Sequence, residues 1–220
     1  AEKCQSPNTA LPLLSMEKKS IGSMLLIEDI SNEKRLKSTM SRYMDPAIAA
    51  QMLEGGGSDL LGGASKEATV MFTDVRGFTT IAEGLKDDPE HLTQLINRLL
   101  TPLSEVVLSH GGTIDKYIGD AIMAFWGAPV ATPDHASLAV QTALDMSDAI
   151  RTFNQERHQA GLPAIGVGVG LNTGEMCVGD MGSDVRRSYT VVGDAVNLGA
   201  RLEGLSKLYG VDIVASEFTR

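Results

Sequence analysis

Apolar positions recur along this chain with two different periods, and the switches between them mark out its elements. Ala68–Thr73 is a short, nearly continuous apolar run, the pattern of a buried strand. Pro89–Ser109 then places Leu92, Leu95, Ile96, Leu99, Leu100, Leu103, Val106 and Val107 on one stripe at helical spacing. Thr113–Ile118 and Ala121–Trp126 read as two strands around the turn dipeptide Gly119-Asp120, which predicts a hairpin. Asp134–Arg157 is a second amphipathic helix, with Ala136, Ala139, Val140, Ala143, Leu144, Ile150 and Phe153 inward. Strands at Ala164–Leu171, Glu175–Val178 and Ser188–Val192, a helix at Asp194–Tyr209 and a strand at Val211–Ala215 complete the series. The order β-α-β-β-α-β predicts an α/β (α+β) fold, a ferredoxin-like core with additional strands and helices.

Ahead of this series, Ala10–Leu14 and Ile21–Ile27 read as strands joined by the polar turn Glu17-Lys18-Lys19-Ser20. A charged helix follows from Asn32 to Met44, and together these resemble the last hairpin and exit helix of a PAS-type sensor domain. Asp45-Pro46, an N-cap followed by proline at the first helical position, opens a short helix to about Leu53. Glycines at 55–57 and 62–63 then form a hinge-like stretch. The expected division is a sensor-domain remnant at 1–31, a helical transducer and glycine-rich linker at 32–66, and the main domain at 67–220. Apolar positions in the two linker helices are sparse (Leu36, Met40, Met44, Ile48, Met52), so they read either as a paired transducer or as exposed linker helices.

Composition narrows the function classes. At 220 residues, with 43% hydrophobic and 21% charged, the chain has room for one good core and an appendage. A net charge of −9 argues against a nucleic-acid surface, which needs a basic patch. No apolar run reaches the roughly 18 residues a membrane span requires, and no signal peptide is visible. Cys4 and Cys177 have no metal-binding spacing, so a reducing, cytoplasmic setting is expected. The abrupt start and stop read as a piece of a longer protein.

Three groups of residues carry candidate chemistry. Asp74, in Phe72-Thr73-Asp74-Val75-Arg76-Gly77-Phe78-Thr79, and Asp120 each sit where an apolar strand gives way to a glycine turn. Two carboxylates so placed can share a pair of Mg²⁺ ions, with the Val75 carbonyl completing one site. The N–H groups of Arg76, Gly77, Phe78 and Thr79, at a helix start, would then cradle phosphates. The plainer alternative is a helix cap and a turn filler. Lys116 shares a strand face with Ile114 and Ile118, and it either snorkels to solvent or donates to a purine ring nitrogen. Asn197 and Arg201, four apart on a helix, project together; they are either a solvated face or donors to a ribose oxygen and a reacting phosphorus.

The chain from about Ala68 onward resembles the catalytic domain of class III nucleotidyl cyclases, the adenylyl/guanylyl cyclase family. The resemblance rests on the Asp74 loop, Lys116 four residues before Asp120, and the Asn197/Arg201 pair after Thr190. It implies that Asp74 and Asp120 ligate two Mg²⁺ ions, for which Mn²⁺ can substitute, and that Lys116 selects the purine. It implies further that Asn197 orients the ribose, Arg201 stabilises the transition state, and Arg186 or Arg187 reaches the triphosphate. Thr190 stands where most adenylyl cyclases have an aspartate that accepts from the adenine amino group. Lys with Thr resembles the subgroup that includes bicarbonate-responsive bacterial and soluble cyclases, so bicarbonate control is expected. A second departure is the stop at Arg220, before strands that family members usually supply.

The implied reaction is conversion of ATP to 3′,5′-cyclic AMP and pyrophosphate, in a head-to-tail homodimer with two shared sites, under an upstream sensor. Rival readings are a guanylate cyclase, a diguanylate cyclase or polymerase-type palm, and a catalytically silent nucleotide-binding or dimerisation module. Lys116 disfavours the first. The palm's usual Gly-Gly-Asp/Glu-Glu-Phe hairpin is absent, and the presence of both aspartates, Asn197 and Arg201 disfavours the silent module.

Overall fold

The structure is a computed structural model and describes residues 8–14, 20–27, 48 and 63–219. Two compact units divide at residues 50 and 51. In the first, β1 (Asn8–Leu14) pairs antiparallel with β2 (Ser20–Ile27), with Leu11 opposite Met24 and a register shift between Leu13 and Leu14. Both strands cover the predicted ones. The predicted helix Asn32–Met44, most of the helix from Pro46 to Leu53 and the glycines at 55–57 lie outside the described residues.

The second unit is one six-stranded sheet. Its strands are β3 (Ala64–Val75), β4 (Thr113–Ile118), β5 (Ala121–Trp126), β6 (Val167–Gly182), β7 (Arg187–Val192) and β8 (Ile213–Ala215). Its helices are α1 (Phe78–Gly84), α2 (Pro89–Ser109), α3 (His135–Gln159) and α4 (Asp194–Tyr209). The strand order β4-β5-β3-β6-β7, with β8 added parallel to β6, puts β3 in the middle. The ferredoxin-like order of elements is thus present, with β7, α4 and β8 as additions.

Alternation along the strands builds two apolar layers. Met71, Val75, Trp126, Val169 and Leu171 face α2 and α3, where Leu99, Leu103, Val107, Ala143 and Met146 are buried against them. Ala68, Val70, Met123, Phe125, Met176 and Val191 face the other way, with Val196 of α4. α2 begins as its sequence dictates: Pro89 follows the N-cap Asp88, whose side chain accepts from His91 N at 3.0 Å.

Two sequence expectations change. The strands at Ala164–Leu171 and Glu175–Val178 are one strand, β6, because Ala68–Val70 of β3 pair with Gly174–Asn172 straight through the expected turn. Leu144 is not inward but 50% exposed. The buried positions of α3 are Ala139, Thr142, Ala143, Met146, Phe153 and Arg157, a stripe of helical period that leaves residue 144 one step off the face.

Candidate active site

β3 ends at the candidate aspartates, and side chains extend its pairing with β5 beyond the backbone ladder. The ladder between β3 and β5 stops at Phe72 opposite Met123. Past it, Ile122 N donates to Thr73 Oγ1 at 2.9 Å and Val75 N donates to Asp120 Oδ2 at 3.1 Å. The β4–β5 turn, with Gly119 at φ 65°, is thereby fastened to the end of β3, and Asp120 is held beside Asp74. Thr73, absent from the sequence-level candidates, is half of this clip.

Asp74 lies opposite Gly168 of β6, on the face covered by α4. α4 comes unusually close to that face because glycines line the contact. A Cβ on Gly170 would stand 2.2 Å from Glu203 N, and one on Gly199 would stand 2.8 Å from Val70 Cγ1. A Cβ on Gly168 would meet Glu203 Oε1 at 2.8 Å. The close approach brings Glu203, a residue sequence reasoning missed, to the two aspartates. Its signal was a glutamate sharing a helix face with Gly199 and Ser206.

The electrostatics follow from this crowding. Asp74 has its pKa raised, first by partial burial and then by the charge of Asp120; Lys207 and the Val75 N–H pull the other way. Glu203 is raised by burial, then by Asp74, against Arg76, with Asp120 adding to the rise. Asp74 keeps an exposed face, so burial acts on it only in part. Among the described residues no three His, Cys, Asp or Glu side chains are grouped to hold an ion by themselves. Mg²⁺ is commonly bound by one or two carboxylates together with substrate phosphates, so the Asp74–Asp120 pair fits that ion's donor chemistry.

Arg76 does something other than expected. Its N–H donates to Gly166 O at 2.9 Å and is not free for a phosphate. Its side chain lies across Gly166, where a Cβ would meet Arg76 Cδ at 2.9 Å. The guanidinium donates to Val211 O and stands 3.5 Å from Asp212 Oδ1, tying the turn after β3 to the entry of β8. Gly77, at φ 70°, caps α1, and its carbonyl accepts from Thr80 N and Ile81 N at 3.1 and 3.3 Å. The N–H groups of Gly77, Phe78 and Thr79 sit at the helix start, where no intrahelical acceptor exists for them.

Lys116 and Thr190 lie on β4 and β7, at opposite edges of the strand order, yet the curled sheet brings them together. Thr190 Oγ1 donates to Asp115 Oδ2, and Lys116 Nζ is 3.3 Å from Asp115 Oδ1. A bulge between Ile114 and Lys116 breaks the expected alternation. Lys116 is therefore 48% exposed beside an acid instead of lying among Ile114 and Ile118 on an apolar face. Asp115 is a second residue the sequence reading passed over.

Asn197 and Arg201 are exposed on α4, while Val196, Gly199, Leu202 and Ser206 form its buried face. Arg186 and Arg187 are exposed in and after the turn from β6 to β7, where Arg186 N donates to Ser183 Oγ at 3.2 Å. Arg187 Nη2 is 3.4 Å from Asp184 Oδ1. One chain thus gathers carboxylates at the end of β3 and a Lys–Asp–Thr cluster across β4 and β7, and turns its Asn–Arg pair to solvent.

Comparison with known proteins gives this arrangement a family. Residues 63–218 match the Adenylate and Guanylate cyclase catalytic domain. Over 178 residues the chain is 37% identical to "Adenylate cyclase 1" of Rhizobium meliloti (strain 1021), covering 81% of this chain and 26% of that protein. It therefore spans about a quarter of that relative's length. The solved guanylyl cyclase Cya2 is 40% identical, with a TM-score of 0.62 over 66% of this chain and 73% of that one. The adenylyl cyclase CyaB from P. aeruginosa is 37% identical, with a TM-score of 0.67 over 72% of this chain and 81% of that one. The chain belongs to the adenylate and guanylate cyclase catalytic domain family.

Proposed function

We propose that this domain is an adenylate cyclase, closing ATP into 3′,5′-cyclic AMP and pyrophosphate at sites shared between two copies of the chain. The observation that carries the reading is the division of the site within one chain. Asp74 and Asp120 lie at the end of β3, whereas Asn197 and Arg201 point to solvent from the outer side of α4. A head-to-tail pair with two-fold symmetry supplies each carboxylate pair with the partner's Asn–Arg pair and forms two equivalent sites.

The family is generally metal-dependent. Asp74, Asp120 and the Val75 carbonyl would hold two Mg²⁺ ions, with Mn²⁺ able to substitute; these ions supply neutralisation of the polyphosphate and acidity to the ribose hydroxyl. The chain's own residues do the rest. Lys116 donates to a ring nitrogen of adenine, and Thr190 accepts from its amino group. Asn197 orients the ribose so that its 3′-oxygen stands in line with the α-phosphorus. Arg201 donates to the oxygens where negative charge grows as the bond to pyrophosphate breaks. The N–H groups of Gly77, Phe78 and Thr79 meet the β- and γ-phosphates, and Arg186 reaches the triphosphate. No protein nucleophile is needed.

Likeness alone does not choose the purine, because Cya2 and CyaB resemble this chain to similar degrees. The choice of ATP rests on Lys116 and Thr190. Bicarbonate control and a PAS-like sensor acting through the segment before the catalytic domain belong to the same reading. Rates unchanged by added bicarbonate at fixed pH would remove the first.

The test is complementation, with ATP and GTP offered separately. Asp74→Ala and Asn197→Ala are each inactive alone, and their equal mixture recovers about a quarter of the native rate through random pairing. A mixture with no activity sinks the shared site. Cyclic GMP as the main product overturns the base assignment, and nucleotide binding without turnover points to a silent binding module.

A further inference from the structure

We propose that Asp115 is a positioning residue for purine discrimination, fixing the Thr190 hydroxyl as an acceptor and the Lys116 ammonium as a donor towards the base. The proposal rests on the reading of Lys116 and Thr190 as the base-selecting pair. The hydroxyl has no inherent donor or acceptor preference, and the ammonium, always a donor, has no fixed direction. A hydroxyl rotates, and can donate or accept according to what faces it. An ammonium on a four-carbon stem swings freely. Something in the fold has to decide both.

Asp115 is placed to do so. Its side chain is fully buried, with 0% exposure, on β4 beside Lys116. Thr190, itself 8% exposed on β7, spends its single proton on Asp115 Oδ2. Once that proton is committed, the outward lone pairs of Oγ1 can only accept. Asp115 Oδ1 is buried without a hydrogen bond and is faced by Lys116 Nζ at 3.3 Å. An ammonium has donors only, so the Lys116 protons not turned to Asp115 are offered outward. The pair therefore presents one acceptor and one donor. Adenine offers the complement, an amino donor next to a ring-nitrogen acceptor. Guanine reverses both, with a carbonyl acceptor next to a ring N–H donor.

The same contact joins the two edge strands of the sheet, so a simple fastening role must be separated from positioning. The separating variant is Asp115→Asn, which keeps the shape. The Lys116 ammonium holds the amide oxygen towards itself, so the amide NH₂ faces Thr190 Oγ1 and frees the hydroxyl proton to point outward. The readout is the ratio of kcat/KM for ATP to that for GTP, measured on the dimer. Asp115→Asn should lower the ratio about tenfold, the scale of one hydrogen bond of inverted polarity. In a Thr190→Val background, where no hydroxyl remains to orient, the same change should move the ratio little.

A lost fastener slows both nucleotides alike; equal losses on ATP and GTP therefore overturn the proposal. So does an effect of Asp115→Asn that persists undiminished beside Thr190→Val. If Asp115→Asn melts before it can be assayed, Thr190→Ser and Thr190→Val decide instead. Serine keeps the oriented hydroxyl and the native ratio, valine lowers it about tenfold, and equal ratios in all three proteins overturn the proposal. Where turnover is absent, the same ratios are read from equilibrium binding of ATP and GTP. A native preference for GTP overturns the base assignment together with the proposal. A native preference for ATP that Thr190→Val lowers but Asp115→Asn leaves intact overturns the proposal alone.

Discussion

Three carboxylates lie near one another where β3 ends, and partial burial, reinforced by neighbouring negative charge, shapes how two of them, Asp74 and Glu203, respond to pH. Asp74 and Glu203 both have raised folded pKa values, from burial and from neighbouring negative charge. The folded state therefore binds more protons than the unfolded one as pH falls from neutral. Stability rises as pH drops through those folded pKa values and levels off below the ordinary carboxylate range. Asp74→Asn removes one repelling charge, so in chelator-treated buffer it should raise Tm at neutral pH, with the gain shrinking towards acid. Mg²⁺ or Mn²⁺ should raise the Tm of the native protein and move that of Asp74→Asn far less. A native Tm indifferent to both ions would count against the carboxylates as ligands. Arg76 gives a third expectation at this scale. Its guanidinium is bound to Val211 O and sits near Asp212 with its Nε buried and unpaired, so it is structural. Arg76→Ala should cost about 1–2 kcal/mol in denaturant unfolding, after allowing for its partial exposure.

The decisive elements are β6 and α4, whose contact is built on the absence of side chains. Gly168, Gly170 and Gly199 let the helix settle on the strand, and that descent carries Glu203 to the aspartates. A methyl group on Gly170 would press on the backbone at Glu203 and Gly199, neither of which is a flexible tip. Gly170→Ala should therefore destabilise by about 1–3 kcal/mol or more, seen as a lowered urea midpoint, and should shift the whole of α4. Because Asn197 and Arg201 ride on α4, kcat should fall further than the loss of folded protein explains. The amphipathic pattern located α2 well, since a single stripe, Leu95, Leu99, Leu103 and Val107, is buried in it. It misjudged α3 at Leu144, where alanines on several faces blurred the stripe. It also split β6 at Asn172-Thr173-Gly174, a turn-like tripeptide that the neighbouring strand keeps extended.

For the whole molecule, the separation of the carboxylate pair from the Asn–Arg pair makes association part of the proposed activity. Specific activity should rise with protein concentration and saturate once the dimer is complete. A rate strictly proportional to protein over a hundredfold dilution would instead require a complete site in one chain or a dimer that never dissociates; sedimentation at the same dilutions distinguishes these. Tyr117, Ile118 and Val192, each about half exposed on β4 and β7, are apolar surface on the same strands as the Lys116–Asp115–Thr190 cluster.

The sequence by itself determined the element order, the two helices that cover one face of the sheet, and the residue types at each candidate position. Those depend on local periodicity, caps and turns, and they survive with few changes. Only the tertiary structure decided which of those residues meet. Asp115 and Thr190, 75 residues apart and on opposite sheet edges, touch because the sheet curls. Glu203 reaches Asp74 because three glycines allow a close approach. Arg76 leaves the phosphate turn because Gly166 opens a path for its side chain to Val211. Each is a long-range contact set by strand curl or backbone separation, and neither quantity has a period that can be read along a chain.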